Sequence, residues 1–214
     1  MPPSPTLLAF DTSAAHCAAA LLLDGQIITR VDEMAKGQAE HLMPMLEDVL
    51  SQQNLTWADL DAIAVGTGPG NFTGIRIAVS AARGLALGLR KPAIGVSILQ
   101  AQAHGITTPV LSCLDAKRDR IYAQTFNPEG SAQLCDLTPQ GLEKLHTATV
   151  VGNMAQQISD ITGATVATQI CPPINAIAQI AATQIGAHHP RPSPLYIRAP
   201  DAAPPKNPAP QILP

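Results

Sequence analysis

The segment that most constrains the fold is Ala62–Val65, which runs straight into Gly66-Thr-Gly-Pro-Gly-Asn-Phe-Thr-Gly74, a stretch holding four glycines. A short apolar run that passes through glycines into a helix-spaced apolar stretch is a strand–loop–helix unit, the building block of α/β layers. The spacing predicts a helix over about Ile75–Leu89. Ile75, Val79, Ala82, Ala86 and Leu89 fall on one face, and Ile77, Ala78, Ala81 and Leu85 on the other. A helix apolar nearly all round is covered on two sides. The second cover is either ordinary core packing or another chain, and Gly84 and Gly88 allow close helix approach. The loop has two readings as well. Glycines and a helix N-terminus favour phosphate. Yet no Gly-Lys-Ser/Thr follows, and Asn71 stands where GxGxxG, counted from Gly66, needs its last glycine. A tight turn without a ligand fits equally well.

Upstream, Leu7–Phe10, Cys17–Leu23 and Gln26–Asp32 read as a three-stranded meander, with Asp24-Gly25 as its hairpin turn. A helix over about Glu40–Gln53 follows, with Leu42, Leu46, Val49 and Leu50 at helical spacing and Pro44 expected in its first turn. Pro92–Val96 is a further strand, and Ser97 the N-cap of a short helix reaching His104. The second half echoes the first. Val110–Leu114 ends at Asp115, Ile121–Phe126 is a strand, Pro128-Glu129-Gly130 a turn, and Val150-Val151-Gly152-Asn153 leads into a helix over Met154–Ile161. Asp11 precedes Gly25 by 14 residues, and Asp115 precedes Gly130 by 15. Two related halves follow from this, each a small sheet flanked by helices. Residues 188–214 hold nine of the 20 prolines; only Leu195–Arg198 is strand-like, and from Ala199 a flexible tail is expected.

Charge and motif content exclude several functions. A formal charge of −3 argues against free-standing tight binding to nucleic acid. No apolar run long enough to span a bilayer and no secretory signal are read, so a cytoplasmic location without membrane association is expected. The four cysteines form no CxxC pair, and the six histidines form no HxxxH or HExxH. No Gly-x-Ser-x-Gly is present. Asp11-Thr12-Ser13, at a strand end, is either an Asx-type turn or a group that faces phosphate through water or Mg²⁺. Lys117, Arg118 and Arg120 occupy the matching turn of the second half.

LLAFDTS, GTGPGNFTGIRIAVSAARGLALG, GVSILQAQA, LDAKRDRIYAQ and PLYIRAPDA, in that order over about residues 7–202, resemble the TsaB (YeaZ) family. The resemblance implies an α/β chain with the actin-like ATPase (ASKHA/RNase H-like) fold, built of two duplicated subdomains, each a mixed sheet flanked by helices. The expected boundaries are 1–104 and 105–198, with a tail over 199–214. It also implies a non-catalytic subunit that binds and stabilises the catalytic paralogue TsaD in forming N6-threonylcarbamoyladenosine (t6A) at position 37 of tRNAs reading ANN codons. TsaE is a further partner, TsaC supplies the activated threonylcarbamoyl group, tRNA is met only through the complex, and family members can also self-associate as homodimers in isolation. The expected partner or dimer surface is Leu42, Met45, Leu46, Val49, Ile75, Val79, Ala82 and Ala86. Asp11, Thr12, Ser13, Gly68, Gly70, Thr73 and Arg118 are the residues placed to face a nucleotide. No catalytic residue, metal or intrinsic cofactor is expected, and ATP or ADP is assigned to the junction with TsaD. Where the family commonly has Asp-Ala-Arg followed by Glu-Val-Tyr, this chain has Asp115-Ala116-Lys117 and Arg120-Ile121-Tyr122. The alternative is a small actin-fold ATPase or kinase using Asp11 and the Gly66–Gly74 loop.

Overall fold

The computed structural model describes residues 4–145 and 148–197. Its first half comprises strands β1 (Leu7–Asp11), β2 (His16–Leu23) and β3 (Gln26–Glu33), helix α1 (Gln38–Ser51), strand β4 (Ala62–Gly66), helix α2 (Phe72–Leu89), strand β5 (Ala93–Val96) and helix α3 (Ile98–Ala103). The second comprises β6 (Val110–Asp115), β7 (Arg120–Phe126), β8 (Gln133–Asp136), the short α4 (Pro139–Leu142), β9 (Thr149–Gly152), α5 (Ala155–Thr162), β10 (Thr165–Val166) and a closing helix α6 (Pro173–Gln184).

Each half is one five-stranded mixed sheet. The orders are β3-β2-β1-β4-β5 and β10-β9-β6-β7-β8. In both, the first three strands in sequence run antiparallel and the last two join parallel to the first. The hairpin echo read from Asp11/Gly25 and Asp115/Gly130 is therefore a true duplication, β6 standing where β1 stands. At the first hairpin, Asp24 and Gly25 both take positive φ (49° and 79°), as an Asp-Gly turn requires.

The first sheet is covered on both faces, which is why β1 and β4 are buried along their whole length. Leu8, Phe10, Ala19, Leu21 and Ile63 meet α1 and α2 on one side. Leu7, Ala9, Ala20, Ala62 and Ala64 meet α6 on the other, through Ile174, Ile177, Ala178 and Ala181. Alanines on both partners let α6 lie close to the strands. By packing, α6 belongs to the first half, although it follows the second in sequence.

Several boundaries differ from the sequence expectation. Helix α2 begins at Phe72 rather than Ile75, because Asn71 caps it by accepting the Gly74 N–H at 2.9 Å. Pro44 lies inside α1, beyond its first turn, on the exposed side, where water can hydrate the carbonyl it leaves without a donor. Leu195–Ile197 is not a strand; the Leu195 N–H donates to the Thr67 carbonyl in an isolated bond. Arg198 and the tail over 199–214 lie outside the described residues.

The largest correction concerns the expected partner surface. Leu42, Met45, Leu46, Val49, Ile75, Val79 and Ala82 are all buried within the chain against the first sheet, and Ala86 is half-buried. Strong apolar periodicity marks the face that covers the sheet, the largest apolar surface the chain owns. A partner meeting α2 touches other side chains. By length and hydropathy α2 could also cross a membrane, but its inner face is a wall of this core.

Because α6 supplies half the cover of the first sheet, Ile177→Ala should lower unfolding free energy by about 2–5 kcal/mol. Chemical denaturation reads this directly. A loss under about 0.5 kcal/mol would mean α6 is not core.

Candidate functional site

A cavity of about 830 Å³ opens between the two sheets. The end of β1 supplies Asp11 and Ser13, β2 His16, the glycine loop Gly70 and Asn71, and α3 Gln102. Opposite them stand Asp115, Lys117, Tyr122 and Asn153 of the second half, over apolar groups that include Ile98, Leu114, Ile174 and Ile177.

Asp11 is 3% exposed. Its Oδ2 accepts from the Ser13 N–H (3.1 Å) and Ser13 Oγ (2.9 Å) and lies 3.1 Å from His16 Nε2. Its Oδ1 is buried without a partner. Hydrogen bonding to Asp11 raises the His16 pKa above 6.5, burial opposing it. Ser13 and His16 both bond the same carboxylate oxygen rather than each other, so Ser13 is not set up as a triad nucleophile. Across the cavity Asp115, the duplicate of Asp11, holds Lys117 Nζ at 2.6 Å, and that contact lowers the Asp115 pKa. Each carboxylate thus faces the cleft with its own basic partner, His16 for Asp11 and Lys117 for Asp115. Gln102, nearly buried, accepts from Ser112 Oγ at 2.9 Å through Oε1. Burial pushes the Cys17 and Cys113 thiols up to about 11, which keeps them protonated and unreactive. Among the described residues no group of three or more His, Cys, Asp or Glu is placed to hold a metal.

The glycine loop is used by the chain itself. The Asn71 N–H donates to the Ser13 carbonyl at 2.6 Å, and Thr12 Oγ1 donates to the Gly74 carbonyl at 2.6 Å. A Cβ on Gly74 would drive into the Thr12 carbonyl oxygen, and one on Gly70 into that of Ser13. These glycines are needed for close approach of two protein segments, which supports the ligand-free reading of the loop.

Of the residues expected to face a nucleotide, Asp11, Ser13 and Gly70 line the cavity. Thr12 is buried in the clasp, Thr73 is exposed on the first turn of α2, and Arg118 is exposed at the second-half turn; these and Gly68 are not among the lining residues. His16, Gln102, Tyr122 and Asn153 were not singled out. Asp115 could have been, from its place in the repeat.

Comparison with known proteins bears on this geometry. A family model described as "TsaD: tRNA N6-adenosine threonylcarbamoyltransferase" matches residues 32–191, about three quarters of the chain. The tRNA threonylcarbamoyladenosine biosynthesis protein TsaB of Escherichia coli (strain K12) is 37% identical over 121 residues, 54% of this chain and 52% of that one. The TsaB of Haemophilus influenzae is also 37% identical, over 123 residues, 55% and 52% of the two chains. A solved structure of YeaZ from Pseudomonas aeruginosa superposes with a TM-score of 0.72 at 26% identity, covering 90% of this chain and 99% of that one. The chain belongs to the TsaB (YeaZ) family. The match spans about half the length of the curated TsaB relatives. The ethanolamine utilization protein EutJ from Carboxydothermus hydrogenoformans shares the fold at a TM-score of 0.53 and 11% identity. The TsaB-family fold here is accordingly the actin-like one, two duplicated mixed sheets about a cleft.

Because His16 has a folded pKa above its unfolded 6.5, its ion pair stabilises fully below pH 6.5 and fades as pH rises through the folded value. His16→Gln should therefore destabilise more at pH 6 than at pH 8, by on the order of 1 kcal/mol. Thermal unfolding at the two pH values checks this. An equal loss at both would contradict the pairing.

Proposed function

We propose that the chain is a non-catalytic, cytoplasmic subunit of the machinery that forms t6A at position 37 of tRNAs reading ANN codons, and that it acts by binding and stabilising a TsaD paralogue. The observation that carries this reading is the outer face of α2. Leu87 is 82% exposed, and Gly84 and Gly88 have nothing within 4 Å of where a Cβ would stand. Ser80, Gly84, Leu87 and Gly88 leave a smooth surface on a helix whose inner face is already committed to the core. Small residues of this kind let another helix approach closely. In isolation the same face supports a homodimer, with which TsaD competes. TsaE joins the assembly, TsaC supplies its activated substrate, and tRNA is met through the complex.

The runner-up, an ATPase or kinase, draws on the cleft, which has room for a nucleotide beside Asp11. Its phosphate loop, however, is spent on the Asp11–Ser13 turn. ATP or ADP at the junction with TsaD is part of the leading reading; titration with ATP, with and without TsaD, separates the two.

The deciding experiment combines the chain with its candidate TsaD, TsaC and TsaE and measures modified tRNA with each omitted. Omission of this chain should abolish or strongly reduce t6A, and the chain alone should turn over no nucleotide. Leu87→Glu, on the open surface, should leave the fold intact and weaken TsaD binding by about 10-fold or more. Full modification without the chain would overturn the proposal.

A further inference from the structure

The edge of the α2 face carries an arrangement that the fold does not require. Phe72 and Tyr196 are 40% and 44% exposed, with ring centroids 5.1 Å apart. The Arg76 guanidinium sits 3.9 Å from the Phe72 centroid, and its Nε donates to Tyr196 Oη at 2.8 Å. The segment that brings Tyr196 here is anchored by the bond from Leu195 N–H to the Thr67 carbonyl. Arg76 is thus stacked and hydrogen-bonded while remaining exposed, an arginine held still at the surface. Arg83, also exposed, lies seven residues on and hence on the same side of the helix. Among the described residues neither arginine forms a salt bridge, and α2 contains no acidic residue.

We propose that Arg76, braced by Phe72 and Tyr196, and Arg83 form a carboxylate-receiving edge of the docking face, recognising two acidic side chains about 10 Å apart along a helix of the protein partner. This rests on the α2 docking reading above and adds what sets the partner's orientation. The occupant is a protein rather than RNA. The whole chain is −3 and α2 itself offers only two cations, Arg76 and Arg83, a turn-spaced pair that matches two carboxylates one to one but lacks the basic stripe that a row of phosphates requires. Arginine and tyrosine are among the residue types enriched where binding energy concentrates at protein interfaces, and Arg76 is already held in place before a partner arrives.

The test uses the full chain and purified TsaD, with binding measured by calorimetry at several salt concentrations. Arg76→Glu and Arg83→Glu, both on the open surface, should fold as wild type by thermal unfolding. Each should weaken binding by about 10-fold and the pair by about 100-fold or more. Wild-type affinity should fall with salt, and the double Gln variant should flatten that dependence. Tyr196→Phe, which removes the hydrogen bond to Arg76 Nε and keeps the ring against Phe72, should lose a smaller factor. If Leu87→Glu abolishes binding while the Arg76/Arg83 double variant binds normally, the charged edge is refuted and the docking face stands. If neither variant changes binding, the docking face itself fails and takes the edge with it. Loss of tRNA binding with TsaD affinity unchanged would reassign the edge to nucleic acid and overturn the proposal.

Discussion

The clasp between the glycine loop and the Asp11–Ser13 turn governs the rest of the structure. Two short hydrogen bonds and two glycines without room for a side chain tie the end of β4 to the end of β1. The start of α2 is fixed there, since Asn71 both joins the clasp and caps the helix. Once α2 is aimed, its inner residues must cover the sheet and its outer residues must face solvent. The same clasp forms one wall of the cleft and presses Asp11 into a site where one carboxylate oxygen is saturated and the other is left alone.

This arrangement separates two properties that often travel together in a glycine-rich loop. Close backbone approach is present, but the approach is to another part of the protein. The cleft keeps the geometry of its fold class while each of its two carboxylates is engaged by a basic side chain, Asp11 by His16 and Asp115 by Lys117. The outer face of α2 carries exposed glycines, an exposed leucine and two arginines without acidic neighbours on their own helix. Surface features with no intramolecular purpose are the natural seat of a function carried out through another chain.

Much of the fold was legible because it rests on local rules. Asp24-Gly25 announced its hairpin, the apolar runs on either side its strands, and the glycine loop its strand-to-helix turn. The duplication was legible from the matching spacing of Asp11 and Asp115 to their turns. Helix α6 was not singled out, although Pro172-Pro173 mark a helix start and Ile174, Ile177, Ala178 and Ala181 recur at helical spacing. Strand β8, at a sheet edge, has only Leu134 and Cys135 between polar ends, and β10 is two residues long, so neither forms an apolar run. At the site, Asp11, Ser13 and Gly70 were readable from their motif. His16 was not, because its meaning arises only when β2 pairs back beside β1. The residues expected at a partner surface are buried for a physical reason: periodicity reports where a helix is most apolar, and α1 and α2 spend that face on their own sheet.

Hydroxyl-radical footprinting of side chains, in the free chain diluted to monomer and after mixing with TsaD, tests most directly whether the outer face of α2 is the docking surface. Labelling of Leu87, Phe72 and Tyr196 should fall sharply on complex formation, while Ile170, exposed beside Gly105, keeps its reactivity. A stable complex in which Leu87 and its neighbours are labelled as strongly as in the free chain would contradict docking through this face.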